Sequence, residues 1–442
     1  MSQNFRLRKI AIVAPSAYLL GGVQEWLDYL VPGLESLYWK VTVILVHGDH
    51  ADSHQYLKLH PFKHAFIVKN QTGTREGRVR AVVKALRSIR PDVVLGVNIV
   101  DTYEAVERLR QEKSFKEMKV AMALHGLNPC FYEDITRLGG ILDGVIATNR
   151  LAEVSAVSLA GLPGEMAHYA PCGVEIQEST PVIDNVQKLT LIFCGRFDNE
   201  EKRVMDLTQI LRALERDNVE FNLSLAGAGQ AESELREALS RFSDKIKFLG
   251  ILDHDQKRNL LYKPGSILLI LSPSETGPLV AWEAMAAGVA VVSSRFLGIG
   301  REAGLIDEVN CLTFNVGDTE AAAYSIQRLL DMKLRSKVIS SALMMVRDRY
   351  SRAESVQAWH LALRRIAEQS VQTRSSQYEL AIPAGRMDTL FGANVAETIR
   401  RILGLRYLHK EAGSEWPHTY GRDDSAIFKE KMAALDKIGS AK

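Results

Sequence analysis

The stretch SILLILSPSETGPLVAWEAMAAGVAVVSS, residues 266–294, contains two apolar runs separated by a loop and a helical pattern. SILLILS (266–272) and VAVVSS (289–294) are short and almost continuously apolar, as buried strands are. Between them, Pro278 stands near the first helical position and Thr276 or Gly277 offers a cap. A strand, a helix and a second strand in this order indicate a parallel sheet covered by helices on both faces.

The same alternation continues along most of the chain. The other strand-like runs are KIAIVAP (9–15), KVTVILVHG (40–48), DVVLGVN (92–98), KVAMALHG (119–126), GVIATN (144–149), LTLIFCGRF (189–197), FNLSLAGAG (221–229) and KIKFLGIL (245–252). A polar stretch that contains a proline, IQESTPVIDNVQK (176–188), interrupts the series. We therefore predict an α/β chain with two facing, Rossmann-like, doubly wound parallel-sheet domains at 1–180 and 181–352 and a helical tail at 353–442.

Composition and charge exclude several classes of protein. With 46% apolar and 24% charged residues, the chain has the composition of a globular protein. Its 55 Lys and Arg against 53 Asp and Glu leave a net charge of +2, far from that of a dedicated nucleic-acid binder. The four cysteines form no C-x-x-C pair, which favours reduced thiols over a zinc ribbon. Without a signal-peptide core or a run of roughly 20 apolar residues, we expect a cytoplasmic protein.

Two glutamates flank the start of the helix predicted near Pro278. A helix that begins at the carboxyl edge of a strand directs its N–H groups and positive dipole end to that edge, where an anion binds. Glu275 stands just before this helix and Glu283 about one and a half turns into it, so both would border one ligand. In the alternative interpretation, Glu283 only complements the helix dipole and Glu275 is a solvated loop residue.

Two cations follow the first strand of the second domain. Arg196 comes directly after Gly195, and Lys202 begins the next predicted helix. A guanidinium fork and an ammonium point charge suit a diphosphate. Pairing of these cations with Glu200 and Glu201 at the surface is an equally good interpretation of the same residues.

Paired glycines occupy the corresponding place in the first domain. Gly21 and Gly22 lie between its first strand and its first helix, where they allow close approach of the backbone to a ligand. A plain tight turn explains them equally well.

Taken together, these motifs resemble one known family. The ordered set is GGV (21–23), a strand ending at His125, PCGVE (171–175), GRF (195–197) with Lys202, AGAG (226–229), FLG (248–250), SETGPLVAWEAMAAGVAVV (274–292) and GIGRE (298–302). It resembles the retaining glycosyltransferases of family four, over residues 9 to about 330, and the E-x7-E segment with the following EAMAAG is its most specific part. The resemblance implies two facing Rossmann-like domains, the B architecture, and transfer of a sugar from a nucleoside diphosphate sugar to an acceptor hydroxyl.

The resemblance also implies a role for each candidate residue. Arg196 and Lys202 would hold the donor diphosphate, Glu275 would contact sugar hydroxyls and Glu283 would bind the ribose. His125 would lie beside the transferred sugar, so the implied catalytic set is His125, Arg196, Lys202 and Glu275. The other implied donor contacts are Thr276, Gly277, Pro278 and Leu279 at the helix start, the glycine loop at Gly21 and Gly22, and Ile251 beside the nucleobase.

The implied mechanism is retention by front-face attack, with the leaving diphosphate as base. No Asp-x-Asp motif lies near the inferred site, so we expect no obligatory metal or cofactor. The expected co-substrate is a UDP-sugar, with GDP- or ADP-sugars as alternatives, and the acceptor is a saccharide, a lipid-linked group or a small molecule. Arg203, Cys172 and Cys311 depart from the family pattern and leave substrate identity open.

Other functions fit parts of the sequence. A non-catalytic binding or assembly subunit is the main alternative, and phosphorolysis or epimerisation on the same architecture is a third. The AGAG segment fails the dinucleotide fingerprint because Glu232 stands at the third glycine. Five histidines between 47 and 64 lack a metal-ligand spacing such as H-E-x-x-H, which favours surface residues over a metal site.

Two segments suggest partners. The helical pattern TREGRVRAVVKALRSIR (74–90) has a basic polar face, which leaves peripheral contact with the inner face of a membrane open beside a plain solvated face. In the tail, we expect AESVQAWHLALRRIAEQ (353–369) to cross back to the N-terminal domain, as in the family. Further on, Asn394 and Ser425 would cap helices whose apolar stripes, such as Ile399 with Leu403, must be buried on the body or in a homo-oligomer.

Overall fold

The computed structural model describes residues 7–16, 21–48, 53–176, 189–263, 265–302, 304–370, 385–406 and 416–439. The chain divides into two compact units. The first unit contains Met1–Thr148, Ala152–Ala170 and Val356–Met432, and the second contains Asn149–Leu151, Pro171–Ser355 and Ala433–Lys442. The predicted domain boundary at 180/181, inside the polar stretch 176–188, lies outside the described residues.

The first unit is built on a parallel sheet. Its described strands are β1 (Arg8–Pro15), β2 (Trp39–His47), β3 (Ala65–Lys69), β4 (Val93–Val97), β5 (Lys119–Leu124), β6 (Gly144–Ala147) and β7 (Ala167–Tyr169), in the order β3-β2-β1-β4-β5-β6-β7. The helices that alternate with them are α1 (Gly22–Ser36), α2 (Ser53–Leu59), α3 (Arg75–Ile89), α4 (Asp101–Arg110), α5 (Pro129–Leu138) and α6 (Arg150–Ser158). The strand order reverses between β1 and β4, as in a Rossmann sheet.

The second unit repeats this arrangement. Its described strands are β8 (Leu189–Cys194), β9 (Phe221–Ala226), β10 (Ile246–Gly250), β11 (Ser266–Ile270), β12 (Ala290–Ser294) and β13 (Leu312–Phe314), in the order β10-β9-β8-β11-β12-β13. Its helices are α7 (Asp206–Arg216), α8 (Glu232–Ala238), α9 (His254–Leu261), α10 (Leu279–Ala286), α11 (Ile299–Glu302), α12 (Thr319–Arg328) and α13 (Met332–Arg349). All its pairings are parallel, so the prediction of an α/β fold with two Rossmann-like parallel sheets is confirmed.

The apolar run at β11 shows why these strands are recognisable in the sequence. Ile267 and Leu269 pack in one apolar cluster, with helices α7, α12 and α13. Leu268 and Ile270 pack in another, with α9 and α10. Successive side chains point to opposite faces of a sheet, and both faces are covered here, so the run from Ile267 to Ile270 is apolar throughout.

Helix α14 (Arg352–Glu368) leads from the second unit into the first. From Val356 onward it belongs to the first unit. Trp359 is fully buried with its ring centroid 4.7 Å from that of Trp26, and His360 Nδ1 accepts a hydrogen bond of 3.0 Å from Trp39 Nε1. The apolar side of α14 therefore completes the core of the first unit.

Two further helices follow, α15 (Arg386–Leu403) and α16 (Ala426–Gly439). Ser425 caps α16 as predicted, since its hydroxyl accepts a hydrogen bond from the N–H of Phe428. Helix α15 begins at Arg386 and has a kink at Gly392, so the prediction that Asn394 caps this helix is wrong.

Of the two places expected to bury the apolar stripe of α15, the body of the chain is wrong, and a homo-oligomer stays a prediction. Ile399 is half-buried and Leu403 is 63% exposed. Hydrogen bonds from the polar side of α15 attach the helix to Thr74 and Arg80 of the first unit. The apolar stripe on the other side of α15 therefore stays exposed.

Candidate functional site

The candidate site lies in the second unit, where its strand order reverses. Strands β8 and β11 are neighbours, but the chain leaves them toward opposite sides of the sheet, which opens a crevice beyond their carboxyl ends. The loop after β8 carries Lys202 and the loop after β11 carries Glu275. Lys202 Nζ donates a hydrogen bond of 2.5 Å to Glu275 Oε1. The structure thus brings together two of the predicted residues, 73 positions apart.

A second ion pair lies beside α10. Lys257 Nζ on α9 donates a hydrogen bond of 2.8 Å to Glu283 Oε1 on α10, and each side chain is about four-fifths buried. Asp253 and Gln256 fix the start of α9 with a capping box. Sequence reasoning missed Lys257. The D-x-x-Q pattern at 253–256 was a usable signal because it places this lysine in the first turns of a helix that follows the strand ending at Gly250.

The helix start between the two ion pairs differs slightly from the prediction. Pro278 occupies the N-cap position with non-helical backbone angles, and α10 begins at Leu279. Gly277 has φ +130°, a conformation that favours glycine. Thr276 and Gly277 are therefore loop residues and not caps. The N–H groups of the first turn, at Leu279 and beyond, still lie at the carboxyl end of β11 and bring positive partial charge to it.

Arg196 does not join the Lys202 pair. Its side chain is exposed and forms an ion pair with Glu201, which is the surface pairing that the sequence left open. Ile251, the residue expected beside the nucleobase, directly follows β10 and is 69% exposed. Both residues lie just after strands of this sheet, Arg196 after β8 and Ile251 after β10.

Glycines let the loops after β8, β9 and β10 pack closely. Gly227 has φ +135°, and a Cβ atom there would lie 1.9 Å from the carbonyl oxygen of Gly195. Its N–H donates a hydrogen bond of 2.7 Å to the carbonyl of Gly250. A Cβ at Gly229 would lie 2.3 Å from the carbonyl oxygen of Phe197. The AGAG segment therefore joins the backbone around the site instead of forming a dinucleotide fingerprint.

The remaining predicted residues lie in the first unit. Gly22 is the first residue of α1, and Gly21 precedes it in extended conformation. His125 directly follows β5, with its ring centroid 4.8 Å from that of Trp26 and stacked with Trp359 at 6.3 Å. Burial among these rings lowers the pKa of His125 to about 4, so its imidazole is neutral at neutral pH.

Two histidines of the segment 47–64 lie within hydrogen-bond distance of polar side chains of the first unit. His60 Nδ1 lies 2.7 Å from Asp28 Oδ2, and His47 Nδ1 lies 3.2 Å from the hydroxyl of Ser53. Among the described residues, which do not include His50, no group of three or more His, Cys, Asp or Glu is placed to hold a metal ion.

The arginines of α3 mostly face carboxylates. The three nearest its start form ion pairs with acidic side chains, Arg75 with Glu104, Arg78 with Asp101 and Arg80 with Glu76. Within the described part of the chain, no helix is both long and apolar enough to cross a membrane.

Comparison with known proteins identifies the class of domain that carries the site. Residues 188–332 match the family model of group 1 glycosyl transferases, a range that includes both ion pairs and the loops around them. Residues 188–332 of the second unit thus have the sequence pattern of a group 1 glycosyl transferase domain. The whole chain has two Rossmann-like sheets, one in each unit.

Two curated relatives match parts of the chain at less than 30% sequence identity. The chain is 28% identical over 183 residues to a phosphatidyl-myo-inositol mannosyltransferase of Mycolicibacterium smegmatis, covering 40% of this chain and 47% of that protein. It is 29% identical over 164 residues to an uncharacterized glycosyltransferase of Methanocaldococcus jannaschii, covering 36% of this chain and 41% of the relative. These matches span less than half the length of the curated relatives.

Solved structures share the fold over a larger part of the chain. HepE of Anabaena, in complex with UDP and glucose, has a TM-score of 0.65 at 16% identity and covers 81% of this chain and 99% of its own. Sucrose-phosphate synthase of Thermosynechococcus elongatus has a TM-score of 0.65 at 19% identity, with 82% and 100% covered. At these identities, the likeness shows that the chain has the GT-B type of α/β fold.

Proposed function

We propose that this chain is a retaining glycosyltransferase that moves a sugar from a nucleoside diphosphate sugar to an acceptor hydroxyl. The observation that carries the proposal is the hydrogen bond between Lys202 and Glu275 at the crevice where the sheet order reverses. The match of residues 188–332 to group 1 glycosyl transferases supports it. In this proposal residues 181–352 bind the donor and residues 1–180 bind the acceptor.

The chemistry of the Lys202 pair fits a diphosphate donor. The ammonium is about three-quarters buried and faces a single carboxylate oxygen, so an incoming diphosphate offers it more negative charge than Glu275 does. Released from Lys202, the Glu275 carboxylate accepts hydrogen bonds from sugar hydroxyls. As the donor bond breaks, negative charge grows on the diphosphate, and Lys202 together with the first turn of α10 stabilises it.

The Glu283 pair suits the ribose of the donor. A carboxylate accepts hydrogen bonds from two adjacent hydroxyls, and Lys257 holds one oxygen of Glu283 in a fixed position. Orientation by a buried neighbour reduces the entropy lost when the ligand binds. Arg196 would exchange its surface partner Glu201 for a phosphate oxygen, and the role of His125 beside the sugar stays a prediction.

The proposed donor and acceptor follow from the ligands and substrates named for similar proteins. We favour a UDP-sugar because HepE of Anabaena was solved with UDP-glucose as well as with UDP and glucose. A GDP-sugar is the first alternative. The mannosyltransferase relative, named for a phosphatidylinositol substrate, supports a lipid-linked or saccharide acceptor. We place the reaction in the cytoplasm, where cysteine thiols stay reduced, without an obligatory metal.

The test is release of nucleotide from UDP-, GDP- and ADP-sugars by the purified full chain, with and without candidate acceptors. We expect one donor to release its nucleoside diphosphate, and the NMR anomeric coupling of the product to show the donor's configuration. Donor binding with no release from any of the three would identify a binding subunit and overturn the proposal. Product of the opposite configuration would overturn retention alone.

A further inference from the structure

Helix α15 is attached to the first unit through its polar side. The carboxylate of Glu397, which is fully buried, accepts hydrogen bonds from the hydroxyls of Thr72 at 2.8 Å and Thr74 at 2.7 Å. Thr74 is also the N-cap of α3. Arg400 and Asp388, both buried, pair with one another on the same side of α15. A buried carboxylate with two hydroxyl donors fixes the face of the helix that points inward.

A second set of bonds prevents α15 from rotating. The guanidinium of Arg80 on α3 donates to the hydroxyl of Thr398 at 3.1 Å and to the carbonyl of Asn394 at 2.7 Å. These bonds hold one side of α15, while the bonds of Glu397 hold the face of α15 that packs against the first unit. Turning the apolar stripe inward would leave the buried groups at Thr72 and Thr74 without Glu397, so the observed orientation is the stable one.

The opposite face of α15 is apolar and exposed. Val395, Ile399 and Ile402 recur at helical spacing along it after the kink at Gly392, and Leu390 and Phe391 lie just before the kink. The large apolar side chains of this face are each 46–77% exposed: Leu390, Phe391, Val395, Ile402, Leu403 and Leu405. Six such residues lie within sixteen positions, and a cluster of exposed apolar residues marks an interaction site more often than single ones do.

The charges beside this surface select its partner. Arg386 and Arg406 lie at the two ends of the apolar face, and Lys84 on α3 is exposed one turn beyond Arg80. Arg401 pairs with Glu397 on the buried side. The two acidic residues of α15 lie in its buried side. An apolar face with a cationic margin is complementary to anionic lipid. A second copy of the chain, related by a two-fold axis, would instead bring arginines against arginines.

We propose that the face of α15 formed by Leu390, Phe391, Val395, Ile402, Leu403 and Leu405 docks the protein on an anionic lipid surface. This inference does not depend on the proposed function, because binding to lipid is measured without any reaction. It assigns membrane contact to the tail helix and not to the 75–90 helix named from the sequence, whose first arginines face carboxylates.

The experiment is co-sedimentation of the full chain with vesicles of phosphatidylcholine alone or of phosphatidylcholine with phosphatidylglycerol. We expect the wild type to sediment with the anionic vesicles and on the order of tenfold less with the neutral ones. The variant Ile402→Ser/Leu403→Ser removes exposed side chains and should lose most of this binding. Leu59→Ser/Leu361→Ser, which changes exposed leucines elsewhere in the first unit, is the matched control and should bind as the wild type does.

Two results would overturn the proposal. Equal sedimentation of the Ile402→Ser/Leu403→Ser variant and the wild type would show that α15 is not the lipid-binding face. A wild type that stays in the supernatant but doubles its mass by light scattering, with the doubling abolished in the same variant, would identify a second copy as the partner. A melting temperature within error of the wild type's confirms that each variant is folded.

Discussion

The ammonium of Lys202 and the carboxylate of Glu275 share a hydrogen bond of 2.5 Å, although the two residues follow different strands of the second sheet. Each side chain is mostly buried, at 26% and 15% exposure. In the proposed function, the donor diphosphate must take the place of this carboxylate at Lys202. The strength of the pair therefore sets part of the affinity for the nucleotide.

Glu275→Gln should tighten binding of UDP while slowing transfer. The amide leaves Lys202 with its full charge for the diphosphate, and a partly buried pair of this kind is worth about 1 kcal/mol, or about fivefold in affinity. Transfer should slow because the amide orients sugar hydroxyls less well than the carboxylate. Calorimetry with UDP and initial-rate kinetics measure the two effects. Glu320→Gln, which breaks the exposed pair of Arg216 in the same unit, is the control, and weaker UDP binding by Glu275→Gln would contradict the argument.

Lys202→Ala should lower the rate of the chemical step more than the affinity for the donor. Its charge matters most as the diphosphate leaves, so we expect a loss of about 3 kcal/mol of transition-state stabilisation, on the order of a hundredfold in kcat. Single-turnover kinetics separate this step from product release. Unchanged turnover in Lys202→Ala would refute the assigned role.

Lys257→Met should raise the KM for the donor by about tenfold and change kcat little, because the lysine orients Glu283 and does not reach the reacting bond. Methionine keeps most of the volume of the lysine stem. Lys247→Met, at an exposed position on β10 of the same sheet, is the matched control. If kcat falls as far as kcat/KM with no change in KM, Lys257 acts on the chemical step and the orientation argument is wrong.

How far the sequence predicts this molecule depends on what surrounds each segment. Strands such as β11 are covered on both faces, so they are continuous apolar runs and were recognisable. The edge strand β3 is only five residues long, with Phe66 and Lys69 exposed and Val68 alone buried, and it was missed. The D-x-x-Q pattern places Lys257 on a helix, but its contact with Glu283, 26 positions away on another helix, is encoded by no local spacing, and Lys257 was missed.

The tail shows a different limit of sequence reasoning. An apolar stripe predicts which side of a helix faces inward only when apolar burial is the largest contribution to its docking. On α15, the hydrogen bonds of Glu397 with Thr72 and Thr74 fix the opposite side. Those partners lie more than 320 positions away, so the sequence of the helix alone could not reveal them.

Gly227→Ala should destabilise the second unit far more than Gly250→Ala. Both glycines have positive φ, which costs an alanine about 1–2 kcal/mol. At Gly250 nothing lies within 4 Å of the added Cβ, whereas at Gly227 it would meet the carbonyl oxygen of Gly195 at 1.9 Å. We expect an additional loss of at least about 2 kcal/mol for Gly227→Ala, measured by urea unfolding. Equal losses in the two variants would show that the loops after β8 and β9 separate easily.

Asp134→Asn should make the first unit less sensitive to rising pH. Asp134 on α5 is buried, and its carboxylate accepts hydrogen bonds from the hydroxyl of Thr419 at 2.6 Å and from the N–H of Tyr420 at 3.0 Å. Burial raises the pKa of Asp134 to about 6, although these bonds and the charge of Arg137 act in the opposite direction. The folded chain therefore binds this proton more tightly than the unfolded chain, in which the pKa of aspartate is about 3.9.

The sign of the pH effect follows from that difference. Between about pH 4 and pH 6 the folded state holds more protons, so the contribution of Asp134 to stability is largest below about pH 4 and is lost as the pH rises through about 6. The loss amounts to about 3 kcal/mol. Asparagine cannot titrate and keeps one acceptor oxygen for Thr419 or Tyr420. Subtracting the urea-unfolding free energy of the wild type from that of Asp134→Asn cancels the other titrating groups, and the difference should grow in favour of the variant from about pH 4 to about pH 7. A difference that is constant with pH would contradict the argument. It would show that the pKa of Asp134 is the same in the folded and unfolded states, so that burial beneath Thr419 and Tyr420 does not disfavour its ionised form.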